Sequence, residues 1–148
     1  MHLAEVYLQQ GRLKDAEVLL IPALSSGDPE VNWRLADVLF AMGRIAAAEV
    51  QMEAARVGFE LLLEKHMFAF ADHGAEFYSG SGNDARRAFE LANINLANRP
   101  TLFAHKQAYE TALRAGDPDA AREILRAAAQ RQVEIAGLKV CMPTLHGK

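Results

Sequence analysis

One spacing recurs along this chain and constrains its fold more than any other feature. Gly11, Ala16, Leu20 and Ala23 are separated by 5, 4 and 3 residues; Gly43, Ala48, Met52 and Ala55 follow the same steps, and so do Gly116, Ala121, Leu125 and Ala128. Steps of 3 and 4 return a side chain to the same face of a helix. Each set therefore reads as a glycine that ends one helix in the left-handed conformation, followed by a stripe of small residues on the next helix. Upstream of the turns the pairs Leu3/Ala4 and Leu35/Ala36 match, as do Tyr7 and Leu39, four residues before the glycine. A helix pair of this size buries its apolar face only against a neighbouring pair, so a repeat implies a stack.

A fourth copy is degenerate. Ala88, Ala92 and Asn95 keep the steps of 4 and 3, but Gly82 lies 6 residues before Ala88 and Asn83 takes the expected place at 5. Asparagine tolerates the left-handed conformation next best after glycine, so the loop YSGSGND is an enlarged version of the same turn. Helices are expected at about 2–10, 13–24, 29–42, 45–64, 67–79, 84–97, 101–115 and 118–131. Asp28-Pro29 is a start signal, an N-cap followed by a residue suited to the first helical position, and Asp117-Pro118 repeats it. Pro100 ends one helix and leads into the next. Equivalent alanines are 32 residues apart from Ala16 to Ala48, 40 from Ala48 to Ala88 and 33 from Ala88 to Ala121. The excess falls in VGFELLLEKHM, which implies a second helix about two turns, or roughly 10 Å, longer than its counterparts.

This pattern resembles the tetratricopeptide repeat, a helix-turn-helix of about 34 residues, over roughly residues 1–130. The resemblance implies an all-α, right-handed superhelix of about four antiparallel helix pairs, the first of them short. It places one repeat domain at 1–131, followed by a capping segment or tail at 132–148. It also implies a concave groove lined by the first helices of successive pairs, in which a peptide or helix of another protein lies. Mapped onto this chain, the groove positions are Trp33, Asp37 and Phe40 in the second repeat and Phe103, Lys106, Glu110 and Leu113 in the last. In the third repeat they are Phe68, Ala71, Ala75 and Tyr78. Independently of the family, Trp33 and Phe40 share a helix face with Asp37 between them, an arrangement that would grip apolar groups and anchor a basic one. The alternative is that Trp33 belongs to the core. The family's carboxylate clamp of lysine, arginine and asparagine is absent; Glu30, Asp37 and Glu110 stand beside Arg34 and Lys106 in a field of mixed sign.

Two further readings stay open. The apolar stripe of the long helix 45–64, with Phe59, Leu62 and Leu63, is covered either by the following helix or by a second copy of the chain, which would make the helix and the C-terminal tail a self-association module. In KHMFAFADHGAEFY, His66, His73 and Glu76 could share a face, with Asp72 adding an oxygen, as in a metal or small-ligand site. The helix start after His66 and the lack of paired His/Glu motifs speak against it. The bland alternative makes His73 a core histidine bonded across the helix pair near His105.

Other chemistry has little support. A net charge of −3 and a pI near 5.9 provide no basic field for nucleic acid. The single cysteine, Cys141, excludes an intrachain disulfide. No apolar run has the length of a membrane span, and MHLAEVYLQQ does not resemble a signal peptide, so the cytoplasm is the default address. Met1 falls inside a repeat, as it would in a chain cut from a longer protein. Gly80-Ser81-Gly82 is a turn rather than a phosphate loop, and no nucleophile motif is present, so the chain is read as non-enzymatic and without a cofactor. Arg86, Arg87, Arg122, Arg126 and Arg131 are most simply solvated helix faces.

Overall fold

The computed structural model describes residues 2–130, which form helices joined by short turns, with no strand among them. The expected tail at 132–148, with Cys141, and Arg131 lie outside the described residues. The chain divides into two compact units, the first running to Met67 and the second beginning at Phe68.

In the first unit α1 (His2–Gln9), α2 (Leu13–Ala23), a 3-10 turn (Leu24–Ser26) and α3 (Pro29–Ala41) are followed by the opening stretch of α4 (Ile45–Ser79). α2 packs on both α1 and α3. The reason α3 starts where it does is local: the Asp28 carboxylate accepts a hydrogen bond from the Glu30 amide at 2.9 Å, and Pro29 occupies the first turn. It stops at Gly43, whose φ of 74° lets the Arg44 amide reach back to the Leu39 carbonyl at 2.9 Å. The same five-residue closure joins Arg12 to Tyr7 at 2.8 Å and Asp117 to Ala112 at 2.9 Å. The repeated glycines are thus three copies of one C-terminal cap.

The alanines that follow them are packing elements. Ala16, Ala48, Ala88 and Ala121 are all fully or almost fully buried, and in the first unit Ala16 and Ala48 join Leu20, Val31, Leu35, Val38 and Leu39 in one core. Small side chains at these points let the helix axes approach, while the leucines fill the grooves between them. α3 and α4 approach closely, so that a Cβ on Gly58 would come within 2.7 Å of Pro29 Cβ. Asn32 Nδ2 donates to Gln51 Oε1 at 2.8 Å across the same pair.

α4 contains the expected break. Its backbone leaves helical geometry at His66, with φ −142° and ψ 46°, in the gap expected between 64 and 67. The preceding stretch, 45–65, outruns the 11 residues of α2 and the 14 of α5 (Ala85–Asn98), as the long middle interval requires.

The second unit holds the stretch 68–79 of α4, then α5, α6 (Leu102–Arg114) and α7 (Pro118–Gln130). α6 packs on both α5 and α7. Three side-chain caps start these helices: Asp84 accepts from the Arg87 amide at 2.9 Å, Thr101 from Ala104 at 3.1 Å and Asp117 from Ala120 at 2.9 Å. The turn before α5 is enlarged as the spacing suggests. Asn83 carries the positive φ, 50°, and the closing bond from the Asp84 amide returns six residues to Tyr78 at 2.9 Å rather than five. Phe77 and Tyr78 are buried edge to face, 4.9 Å between ring centroids.

Candidate partner-binding surface

On α6, Ala104, His105, Gln107, Ala108, Thr111 and Ala112 are buried. The remaining face carries Phe103, Lys106, Glu110 and Leu113, separated by 3, 4 and 3 residues and therefore aligned. Phe103 is 56% and Leu113 47% exposed. Between these apolar ends Lys106 Nζ and Glu110 stand 3.8 Å apart. The four expected positions in the last repeat thus form one stripe, apolar at both ends and charged but balanced in the middle. It persists because the opposite face of α6 is fully used by the core.

In the second repeat the expected set divides. Phe40 is exposed and Asp37 half-buried, whereas Trp33 is only 5% exposed and belongs to the core. Its ring meets Phe59 edge to face at 6.3 Å, and the Arg34 guanidinium lies over it at 3.7 Å from the centroid. Arg34 in turn pairs with Glu5 at 2.6 Å and Glu30 at 3.5 Å, tying α1 to α3. An aromatic pair flanking Asp37 is therefore not what this helix presents. Trp33 is held by packing of α3 against the 45–65 stretch.

The third repeat needs a correction of one residue in register. Phe68 is exposed as expected, but Ala71, Ala75 and Tyr78 are buried. The outward line on the 67–79 stretch is Ala69, His73 and Glu76, with Asp72 half-buried beside it. The break at His66 and the extra residue in the following turn reset the phase of this helix, so the alignment by spacing slips there.

The residues proposed for self-association are also relocated. Phe59 and Leu63 are buried and Leu62 is half-buried. Phe59 is occupied by Trp33 within its own unit, so these side chains do not form a free apolar stripe. Nor is His73 the interior histidine. It is exposed, and the buried one is His105, whose Nδ1 donates to the Thr101 carbonyl at 2.9 Å. Of the metal candidates, Asp72 pairs with Arg99 at 3.4 Å. Among the described residues no three histidine, cysteine or carboxylate side chains converge as a metal site.

Two features escaped the sequence reading. One is a closed polar circuit inside the second unit, built from Asp72, Arg99, Asn95 and Gln107. Arg99 bridges Asp72 and Asn95 Oδ1 (3.3 Å), Asn95 Nδ2 donates to Gln107 Oε1 (3.4 Å), and Gln107 Nε2 donates to the Asp72 carbonyl (2.8 Å). The available signal was Asn95 itself, a polar residue where the other copies have Ala23, Ala55 and Ala128. The other is an exposed line of valine and leucine on the 45–65 stretch. Elsewhere, Arg12 sits over the Tyr7 ring and bonds Asp15 at 2.7 Å; that bond holds its guanidinium above its ordinary pKa.

The tetratricopeptide repeat family model matches residues 1–20, 29–54 and 110–127. These segments contain all three glycine caps and omit the enlarged turn at Asn83. Neither the curated proteins nor the solved structures contain a match to the chain.

Proposed function

We infer that this chain, a member of the tetratricopeptide-repeat family, whose repeats form non-catalytic scaffolds that mediate protein–protein interaction, is an adaptor that seats a peptide or helix of another protein on the outward face of a first helix. The observation that carries this reading is the α6 stripe. Phe103 and Leu113 are large apolar side chains left in solvent on a helix whose other face is completely buried. Lys106 and Glu110 between them supply polar groups that fix direction without favouring a strongly charged ligand. In the first unit Phe40 and Asp37 form a separate, smaller patch of the same kind. Two of the cations nearest these faces are already paired, Arg34 with Glu5 and Glu30, Lys106 with Glu110. An acidic tail is therefore a poor ligand, and an apolar or mixed peptide a good one.

Affinity capture from a lysate of the source organism tests the reading, with wild type compared against a Phe103→Ala, Leu113→Ala double variant. A protein retained by the wild type and lost from the variant, with an unchanged melting temperature, supports the α6 face and identifies its ligand. Identical captured sets for both would remove this face from the function.

A further inference from the structure

The side of the 45–65 stretch away from Phe59 and Leu63 carries its own pattern. Val50, Val57 and Leu61 are 65%, 51% and 50% exposed, and steps of 7 and 4 align them along the helix. Three residues after each stands a glutamate, Glu53, Glu60 and Glu64, so an acidic line borders the apolar one on one side. Val57, Leu61 and these three glutamates, with Arg56, line a shallow concavity of about 520 Å³. Arg56 is turned toward Glu53 at 3.6 Å, and the rim keeps a net negative charge.

We propose that this face docks a basic amphipathic helix of a partner protein. Apolar side chains of the partner at helical spacing rest on Val50, Val57 and Leu61, and lysines or arginines along one edge oppose Glu53, Glu60 and Glu64. The surface lies on the second helix of its pair and is separate from the first-helix faces described above. Charge selects the occupant. A second copy laid antiparallel would set glutamate line against glutamate line, and laid parallel it would set the glutamates against Ala47, Ala54 and Lys65, the last of these four residues after Leu61 on the opposite border. The first arrangement is repulsive and the second offers one cation to three glutamates. A basic helix instead lays cations along the whole net-negative border, and the one-sided border fixes its rotation about its own axis.

The test is fluorescence anisotropy on the full chain with a labelled 18-residue peptide of leucine, alanine and lysine patterned as such a helix, and a twin with glutamate in place of every lysine. The lysine peptide is expected to bind at least ten-fold tighter than its twin. Val57→Ser with Leu61→Ser, which removes apolar contact without changing charge, is expected to weaken it at least ten-fold, and Glu53→Lys with Glu60→Lys and Glu64→Lys to invert the preference. Circular dichroism checks folding; should the serine variant fail to fold, the charge inversion decides alone. Equal binding of the two peptides, or affinity untouched by the serine pair, overturns the proposal. So does loss of binding in Phe103→Ala, Leu113→Ala, which would place the peptide on α6. A dimer in sedimentation equilibrium that the serine pair converts to monomer overturns it too, in favour of a second copy.

Discussion

Asn95 Nδ2 lies 3.4 Å from Oε1 of Gln107 in the interior of the second unit. The other three repeats place alanine at the position of Asn95, namely Ala23, Ala55 and Ala128. A buried amide where the pattern has a methyl group would be destabilising alone, and here a second amide on the facing helix answers it. Gln107 is held from its other end by the Asp72 carbonyl at 2.8 Å, so the pair links three helical segments.

Asn95→Ala, although it restores the repeat's own residue, is therefore expected to destabilise the protein. It leaves Gln107 Oε1 buried without Asn95, at a cost of about 1–3 kcal/mol. A urea-denaturation cycle with Gln107→Ala should return a coupling energy of about 1 kcal/mol. Additive losses would mean that the amides pack side by side without bonding.

Trp33→Ala separates a core residue from a ligand-gripping one. Its ring is packed on Phe59 and covered by Arg34, and truncating a buried tryptophan typically removes about 3–5 kcal/mol. Chemical denaturation should show a loss of that size, whereas Phe40→Ala, at an exposed position, should stay within about 0.5 kcal/mol. Similar small effects from both would return Trp33 to the surface.

The enlarged turn gives opposite outcomes at adjacent residues. Asn83 has φ 50°, so Asn83→Gly is expected to be neutral or slightly stabilising and Asn83→Ala to lose about 1 kcal/mol, the scale of the left-handed penalty. Gly82 has no such φ but faces Phe77 closely: an added Cβ would meet Phe77 Cε1 at 2.8 Å and the Phe77 carbonyl oxygen at 2.9 Å. Gly82→Ala should lower the urea midpoint more than Asn83→Ala does.

What could be read from the sequence was what local chemistry decides. A glycine followed at 5, 4 and 3 by small residues specifies a cap and a packing stripe without reference to the rest of the chain, and Gly11, Gly43, Gly116 and even Asn83 behave accordingly. Properties that depend on neighbours were less accessible. A helical wheel puts Trp33 and Phe40 on one face but does not show that Phe59 closes over one of them. The register of 67–79 depended on the His66 break before it and the six-residue turn after it. Each adds a phase change that residue counting treats as length alone.

That register is testable residue by residue. In a Cys141→Ser background, single cysteines at 69, 71 and 75 report which line of the helix faces solvent. Ala71 and Ala75 are fully buried, while Ala69 is exposed. Ala69→Cys should react with a maleimide at the rate of a free peptide thiol. Ala71→Cys and Ala75→Cys should react only through transient opening, roughly a hundred-fold slower if opening costs about 2.7 kcal/mol. Adding urea below the unfolding midpoint should accelerate the two protected sites and leave position 69 unchanged. Rapid labelling at 71 and 75 with protection at 69 would restore Phe68, Ala71, Ala75 and Tyr78 as the outward set. Protection of 69 in the wild-type fold that is relieved by mutating Phe103 and Leu113 would instead show the outward line occupied by a bound chain.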